Sequence, residues 1–265
     1  MFKISTILFP VDFSARCRGA AAYVEAMAGR FDAELILLHV TPPATYNALL
    51  DAPAADPAEF DRFFGEDLKH LRVQRVISHG EAGGRIVDCA AARSASLIML
   101  PTQGKGVYRR LLLGSTAAKV LHDADCPVWT GVHLENAPPL EAVACRRILC
   151  AVDLPPAHPQ VLEWAYGLAA EYQAELTLLH VAAGEPAQAR RILESMLPHN
   201  FANAVIRAVI RVEEGDPART IARVAGEIAA DLLVIGRKKQ SGILGRLDEN
   251  GYAIIRRSPC PVLSV

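Results

Sequence analysis

The sequence predicts an α/β protein made of two tandem domains, each a doubly wound parallel sheet of five strands. Three observations carry that expectation. The octet Ala33-Glu34-Leu35-Ile36-Leu37-Leu38-His39-Val40 returns 141 residues on (33 to 174) as Ala174-Glu175-Leu176-Thr177-Leu178-Leu179-His180-Val181. Around it, Ile7-Leu8-Phe9-Pro10-Val11-Asp12 matches Ile148-Leu149-Cys150-Ala151-Val152-Asp153 at the same spacing, Ala95-Ser96-Leu97-Ile98-Met99-Leu100 matches Ala230-Asp231-Leu232-Leu233-Val234-Ile235 at 135 (95 to 230), and Cys126-Pro127-Val128 matches Cys260-Pro261-Val262 at 134 (126 to 260). A period this long means duplicated domains rather than a solenoid, and each copy is long enough to bury its own core. Within each copy, apolar runs of strand length alternate with helix-like stretches, the order that yields a parallel sheet.

Residues 4–11 form a nearly unbroken apolar run, as suits a parallel strand covered on both faces. Ser14 is placed to cap an Ala-rich helix over 15–30. A second strand over 34–40 stops at Thr41-Pro42-Pro43, before a Pro- and Ala-rich loop. A helix is expected over 58–71, a short strand over 75–78, a glycine turn over 80–84, a helix over 85–93 and a strand over 97–101. A helix from Ser115 to residue 122 and a last strand over 127–131 close the first copy. The second copy repeats the plan: strands over 147–153, 175–181, 204–212, 232–236 and 261–265, helices over 159–172, 186–197, 217–229 and 250–256. The expected domains are 1–132 and 146–265, with 133–145, around Pro138-Pro139, as linker.

Composition narrows the function. Of the 265 residues 51% are hydrophobic and the formal net charge is −1, so electrostatics supplies no attraction for nucleic acid or an anionic membrane. No apolar stretch approaches the roughly 20 residues of a membrane span, and Met1-Phe2-Lys3-Ile4-Ser5 runs into a strand without a signal-peptide layout. A cytoplasmic protein is expected. The six cysteines (Cys17, Cys89, Cys126, Cys145, Cys150, Cys260) contain no CxxC pair and are expected to be buried thiols rather than a metal or redox site.

In a doubly wound sheet ligands bind beyond the carboxyl ends of the strands, where Asp12, Val40 and the loop after Leu100 all fall. That loop reads Thr102-Gln103-Gly104-Lys105-Gly106-Val107-Tyr108-Arg109-Arg110-Leu111-Leu112-Leu113-Gly114-Ser115-Thr116. Glycines let backbone amides approach an anion, and a helix N-terminus adds unpaired N–H groups and a favourable dipole. The alternative reading of this spacing alone is an ordinary loop and helix cap.

Joined to Ile7 through Ser14, Leu38-His39-Val40, Leu111-Leu112-Leu113-Gly114-Ser115 and Cys126-Pro127-Val128, the loop resembles the universal stress protein family, as two tandem domains covering nearly the whole chain. The resemblance implies a Rossmann-like, adenine-nucleotide alpha-hydrolase-like fold. Members with nucleotide hold phosphates and ribose with a Gly-x2-Gly-x9-Gly-Ser/Thr loop, and place an Asp ending the first strand and a Val ending the second beside adenine. On this chain the resemblance implies adenine near Asp12 and Val40, and phosphates near Gly104, Gly114, Ser115 and Thr116. The implied ligand is ATP, or AMP or ADP, which Mg2+ can accompany. Pro10 matches the family's nucleotide-binding form, and Gln103 stands in the site where His is common. The resemblance further implies an internal pseudo-dimer of the two domains through their last strands, and leaves a homodimer of chains open.

Two departures shape the expectation. Pro101 occupies the place of the loop's first glycine and offers no N–H. The second copy keeps Gly236 but has Lys239 at the second glycine and Asp248-Glu249-Asn250 at the Gly-Ser position, and carboxylates there would repel phosphate; Lys238 and Lys239 could offset them in part. Asp12 lacks the neighbouring acids of a phosphoacceptor site. His39 and His180, inside apolar strands, are expected to pack with a local hydrogen bond. Lys105, Arg109 and Arg110 either steer triphosphate or form a solvated loop face. No catalytic residue and no metal ligand is assigned. The sequence thus points to a nucleotide-binding stress-response module with its site in the first copy, against a ligand-free scaffold acting through protein contacts or a weak ATPase.

Overall fold

The computed structural model of the chain describes residues 2–42, 57–64, 68, 70–102, 113–131, 134, 139–140, 143, 145–154, 159–182, 184–196, 206, 208–240, 243–246 and 249–265. Its internal packing divides the chain into two units, Lys3–Val143, and Ala144–Val265 together with Met1–Phe2.

In the first unit the strands β1 (Thr6–Pro10), β2 (Glu34–Thr41), β3 (Val73–His79), β4 (Leu97–Pro101) and β5 (Val128–Gly131) lie in the order β3-β2-β1-β4-β5, every neighbouring pair parallel. The helices are α1 (Ala15–Phe31), α2 (Pro57–Phe63), α3 (Ala82–Ala92) and α4 (Ser115–Asp123). The second unit repeats this with β6 (Arg147–Ala151), β7 (Glu175–Ala182), β8 (Ala208–Glu214), β9 (Leu232–Ile235) and, after a hairpin of β10 (Lys238–Gln240) and β11 (Ile243–Arg246), β12 (Val262–Ser264). Its parallel order is β8-β7-β6-β9-β12, and its helices are α5 (Pro159–Tyr172), α6 (Pro186–Met196), α7 (Pro217–Glu227) and α8 (Glu249–Arg257). In each unit the strand order reverses between the first and fourth strands, β1 and β4 or β6 and β9, and the carboxyl ends of those strands define the switch point where such sheets take ligands.

The central strands are buried because helices cover both faces: Ile7, Leu8, Phe9, Leu35, Leu37 and Leu38 expose none of their surface. α1 begins where Ser14 Oγ accepts the Cys17 amide at 3.1 Å and ends at Asp32, whose left-handed backbone (φ 47°) turns its N–H back to the last carbonyls. Small residues fill the face of α1 against the sheet, and Tyr23 packs on the buried Trp129 of β5 with ring centroids 5.3 Å apart.

Several boundaries differ from expectation, each for a physical reason. The glycine turn expected over 80–84 is mostly helix, for α3 begins at Ala82. Glu81 caps it, its carboxylate accepting the amides of Gly83 at 2.8 Å and Gly84 at 2.7 Å, and only Gly80, at φ 136°, is a true turn glycine. Gly83 instead serves packing, since a Cβ there would lie 2.8 Å from Lys119 Cδ on α4. α2 ends at Phe63 rather than 71, Phe64, Leu68 and His70 being turn residues; residues 65–67 and 69 of the expected helix lie outside the described residues. β8 runs over 208–214; of the expected 204–212, residues 204, 205 and 207 lie outside the described residues, and the strand passes 212 because Glu213 and Glu214 still pair with Val181 and Ala182 of β7, Glu213 being also held by Arg211 at 2.7 Å and Arg223 at 2.9 Å while Glu227 closes the ring of charges on both arginines. The β10–β11 hairpin, pairing Lys238 with Arg246 and Gln240 with Ile243, has no counterpart in the expected elements.

α1 passes so close to Leu134 that a Cβ on Gly19 would lie 1.9 Å from its carbonyl oxygen. Backbone on backbone cannot yield as a side-chain tip can, so Gly19→Ala should destabilise the first unit by about 1–3 kcal/mol even though alanine is the better helix former by roughly 1 kcal/mol. A urea titration followed by far-UV circular dichroism reads this as a lowered midpoint; an unchanged or raised midpoint would refute the close approach.

Candidate functional site

The carboxyl end of β1 is where the site is built. Past its last paired residue, Pro10 opposite Leu38, the chain stays tied to β2 for one residue more: the Val11 amide donates to Leu38 O at 2.8 Å. The Val11 carbonyl lies 2.7 Å from His39 Nδ1; a carbonyl only accepts, so Nδ1 carries the hydrogen. His39 is thus a packed histidine with a local bond, as its apolar neighbours suggested, and His180 repeats it on Val152 O at 2.8 Å.

The chain then turns at Asp12. Asp12 Oδ1 accepts the Ser14 amide at 3.0 Å, which leaves Oδ2 without a protein partner among the described residues. Side chains alternate along parallel strands in register, so Pro10, Leu38 and Val40 share one face of the sheet, and Phe9, Leu37 and His39 the other. Pro10, Asp12 and Val40 are each partly exposed, as residues meeting a ligand must be.

Gly114 defines the far side. Its amide donates to Thr102 O at 2.8 Å, while the Thr102 amide donates to Gly131 O at 3.0 Å. The two ends of the loop are therefore pinned together at the tip of β4, and Pro101 does no harm to the sheet because Thr102 supplies the bond to β5. The Gly114 amide is thus engaged in closing the loop rather than offered to an anion. The donors that remain are those of the first turn of α4. Gly114 is its N-cap and no side chain caps it, whereas Ser14, Glu81 and Asp216 cap α1, α3 and α7. Ser115 is exposed and Thr116 partly so, adding hydroxyls to orphan amides and a favourable dipole. Gln103 and Gly104, with Lys105, Arg109 and Arg110, lie outside the described residues.

The second unit keeps the strand tips and changes the mouth. The Val152 amide donates to Leu179 O at 2.9 Å as its counterpart does, and Asp153 and Val181 follow. Beyond β9, however, Gly236 and the buried Arg237 lead directly into the β10–β11 hairpin, and the first residue of α8 is the exposed Glu249, followed by Asn250. An acid in the first turn stabilises that helix by itself. Lys238 and Lys239 belong to the hairpin strand; Asp248 lies outside the described residues.

A model of the universal stress protein family matches residues 3–130 and again 144–265. The chain belongs to the universal stress protein family. A universal stress protein of Mycolicibacterium smegmatis is 26% identical over 273 residues, covering 91% of this chain and 90% of that protein. A crystal structure of a universal stress protein from Archaeoglobus fulgidus DSM 4304 superposes with a TM-score of 0.74 at 21% identity, covering 99% of this chain and 98% of the other, and that of a protein of unknown function from Pseudomonas aeruginosa PAO1 with 0.70 at 19%, covering 99% and 92%. The two structures bear on the fold. Both units of the chain are thus universal stress domains, in tandem.

Among the described residues no group of three His, Cys, Asp or Glu side chains is placed to hold a metal ion, and no helix is long and apolar enough to cross a membrane. No disulfide joins the cysteines. Cys17, Cys150 and Cys260 are buried, and Cys145, partly exposed as a residue, has its thiol buried enough to be pushed up to about 12; Cys89 and Cys126 are only half-buried, which corrects the expectation for those two. Burial pushes the Cys17 and Cys150 thiols up to about 12 and that of Cys260 to about 11. At pH 8 these groups are thiols rather than thiolates, the nucleophilic form. Iodoacetamide at pH 8 should therefore leave Cys17 and Cys150 of the folded protein unmodified while all six react in urea, as peptide mass mapping would show; rapid labelling of Cys17 in the folded protein would contradict its place beneath the Asp12 turn.

Proposed function

We propose that this tandem universal stress protein is a stress-response module whose first domain binds ATP, or a related adenine nucleotide such as AMP or ADP. The observation that carries the reading is the N-terminus of α4. It is capped by Gly114 without any side-chain acceptor and is tied by the Gly114–Thr102 bond to the same carboxyl edge of the sheet that presents Asp12 and Val40. Amides and hydroxyls of Ser115 and Thr116 suit phosphate oxygens; Asp12 Oδ2, the unengaged acceptor, suits an exocyclic amino group; and Val40, beside Pro10 and Leu38 on one face, suits the flat of a base. Gln103 and Gly104 would complete the phosphate loop. Mg2+ would enter with the triphosphate, and no carboxylate of the described site is assigned to it.

The second domain is read differently, since Glu249 occupies the first position of the equivalent helix. A carboxylate there repels phosphate and uses up the helix dipole. That residue favours a structural or regulatory role for the second domain, as in a scaffold acting through protein contacts, over a second triphosphate site.

Mass spectrometry of protein purified gently and then denatured should release an adenine nucleotide, and added ATP at millimolar concentration should raise the melting temperature. Gly114→Glu, which places bulk and negative charge at the mouth of α4, should abolish both effects, whereas Asn250→Ala should leave them unchanged. Neither a nucleotide nor a thermal shift in the wild-type protein would sink the reading, and equal losses in the two variants would refute the assignment to the first domain. Steady release of ADP that vanishes in Gly114→Glu would identify slow hydrolysis at the same site.

A further inference from the structure

Seven described residues have a positive φ, and six of them come in equivalent pairs from the two domains: Asp32 with Gln173, Ser94 with Ala229, and Gly80 with Gly215. The seventh is Phe13, at φ 58°, and its counterpart Leu154 is not among them. A bulky residue in the left-handed region is strained and persists only where its surroundings hold it. Two described features hold Phe13. On one side is the Asp12 turn, closed by the bond from the Ser14 amide to Asp12 Oδ1 at 3.0 Å. On the other is an aromatic cluster, where its ring lies 4.5 Å from that of His39, 5.1 Å from that of Phe63 and 6.0 Å from that of Phe60.

Phe60 and Phe63 belong to α2, both buried, and His39 also meets Phe60 at 6.0 Å. Arg18 of α1 fastens the helix end, its guanidinium 4.2 Å above the Phe63 ring and its Nη1 donating to Phe63 O at 3.2 Å. By strand alternation this cluster sits on the sheet face opposite Pro10 and Val40. Two neighbouring pairs therefore straddle the sheet tip: Asp12 with Phe13, and Val40 with His39. The first member of each pair belongs to the proposed base site, the second to the seat of α2.

We propose that occupancy of the base site in the first domain is passed through Phe13 and His39 to α2, so that nucleotide binding tightens Pro57–Phe63 on the sheet. The inference rests on the nucleotide reading and adds its readout. Two states are defined by the Phe13 backbone. In the left-handed state Asp12 is held by the Ser14 amide with Oδ2 presented, and the Phe13 ring is seated on α2; in the relaxed state both are lost together. A ligand that bonds the presented carboxylate binds the first state better and shifts the population toward it. The second domain lacks the strained residue and also has the acidic helix start, so relay and phosphate-binding features occur in the same copy. By linkage the effect is reciprocal: loosening α2 must weaken the nucleotide by the same factor as the nucleotide steadies α2.

Hydrogen exchange of peptides covering 57–64, with and without ATP, tests this on the full chain, alongside calorimetry of ATP binding. Saturating ATP should slow exchange there by about 5-fold or more in the wild-type protein. Phe13→Gly keeps the left-handed turn without strain and removes the ring; it should still bind ATP but lose the ATP-dependent slowing. A residue that merely packs would raise the basal exchange and leave that response in place. Phe60→Leu, remote from every proposed ligand contact, should weaken ATP by about 5-fold or more and carries the test if Phe13→Gly no longer binds. ATP binding with unchanged exchange at 57–64, a preserved response in Phe13→Gly, or wild-type affinity in Phe60→Leu would each overturn the coupling while leaving the site intact. No heat of ATP binding would sink the nucleotide reading and the coupling with it.

Discussion

Everything at the ligand edge of each domain depends on how the first strand is fastened to the second just past the end of their ladder. The Val11 amide on Leu38 O and the His39 ring on Val11 O satisfy both backbone groups of Val11 at a point where the sheet no longer can. Buried backbone groups left unpaired cost about 1–3 kcal/mol each, so this fastening decides where the strand stops and the chain turns. Because it stops there, Asp12 leaves the sheet level with Val40, Ser14 is positioned to cap α1, and the helix packs back on β1. The second domain repeats the arrangement at Val152, Leu179 and His180, all within the duplicated segments 148–153 and 174–181.

A common tip leaves the difference between the domains to the other side of the mouth. A helix N-terminus has orphan amides and a positive dipole end that some acceptor must answer. α8 carries an acid, Glu249, in its first turn, whereas the cap residue of α4, Gly114, offers no side-chain acceptor and its first turn has no acid, the difference on which the proposed anion site rests. The strained Phe13 falls in the first domain as well, its ring packed against Phe60 and Phe63 of α2.

Much of this was legible in the sequence because it follows from rules of short range. Unbroken apolar runs identified the central strands, α5 begins and ends at the expected residues, and the capping role of Ser14 and the packed state of His39 and His180 followed from their neighbours. Less legible was whatever depended on a side chain reaching backbone elsewhere. Gly83 and Gly84 read as a turn because nothing in the pattern announces that Glu81 will accept both of their amides; the run of β8 past residue 212 places two acids, Glu213 and Glu214, in the ladder opposite Val181 and Ala182, with Glu213 held by arginines from two elements. The hairpin of Lys238–Gln240 and Ile243–Arg246 lacks strong alternation and replaced what read as a loop. Phe13 was invisible as a strained residue, since its backbone is held by rings contributed from β2 and α2, and the engagement of the Gly114 amide by Thr102 needs the loop ends brought together in space.

The central claim is that one domain of the two carries the nucleotide. The number of ATP molecules bound per chain, by equilibrium dialysis at saturating ATP and Mg2+ against protein stripped of any co-purified ligand, tests it most directly. One per chain is the predicted result; two per chain would contradict the exclusion of the second domain by Glu249, and none would contradict the assignment of Asp12, Val40, Ser115 and Thr116 to a nucleotide site.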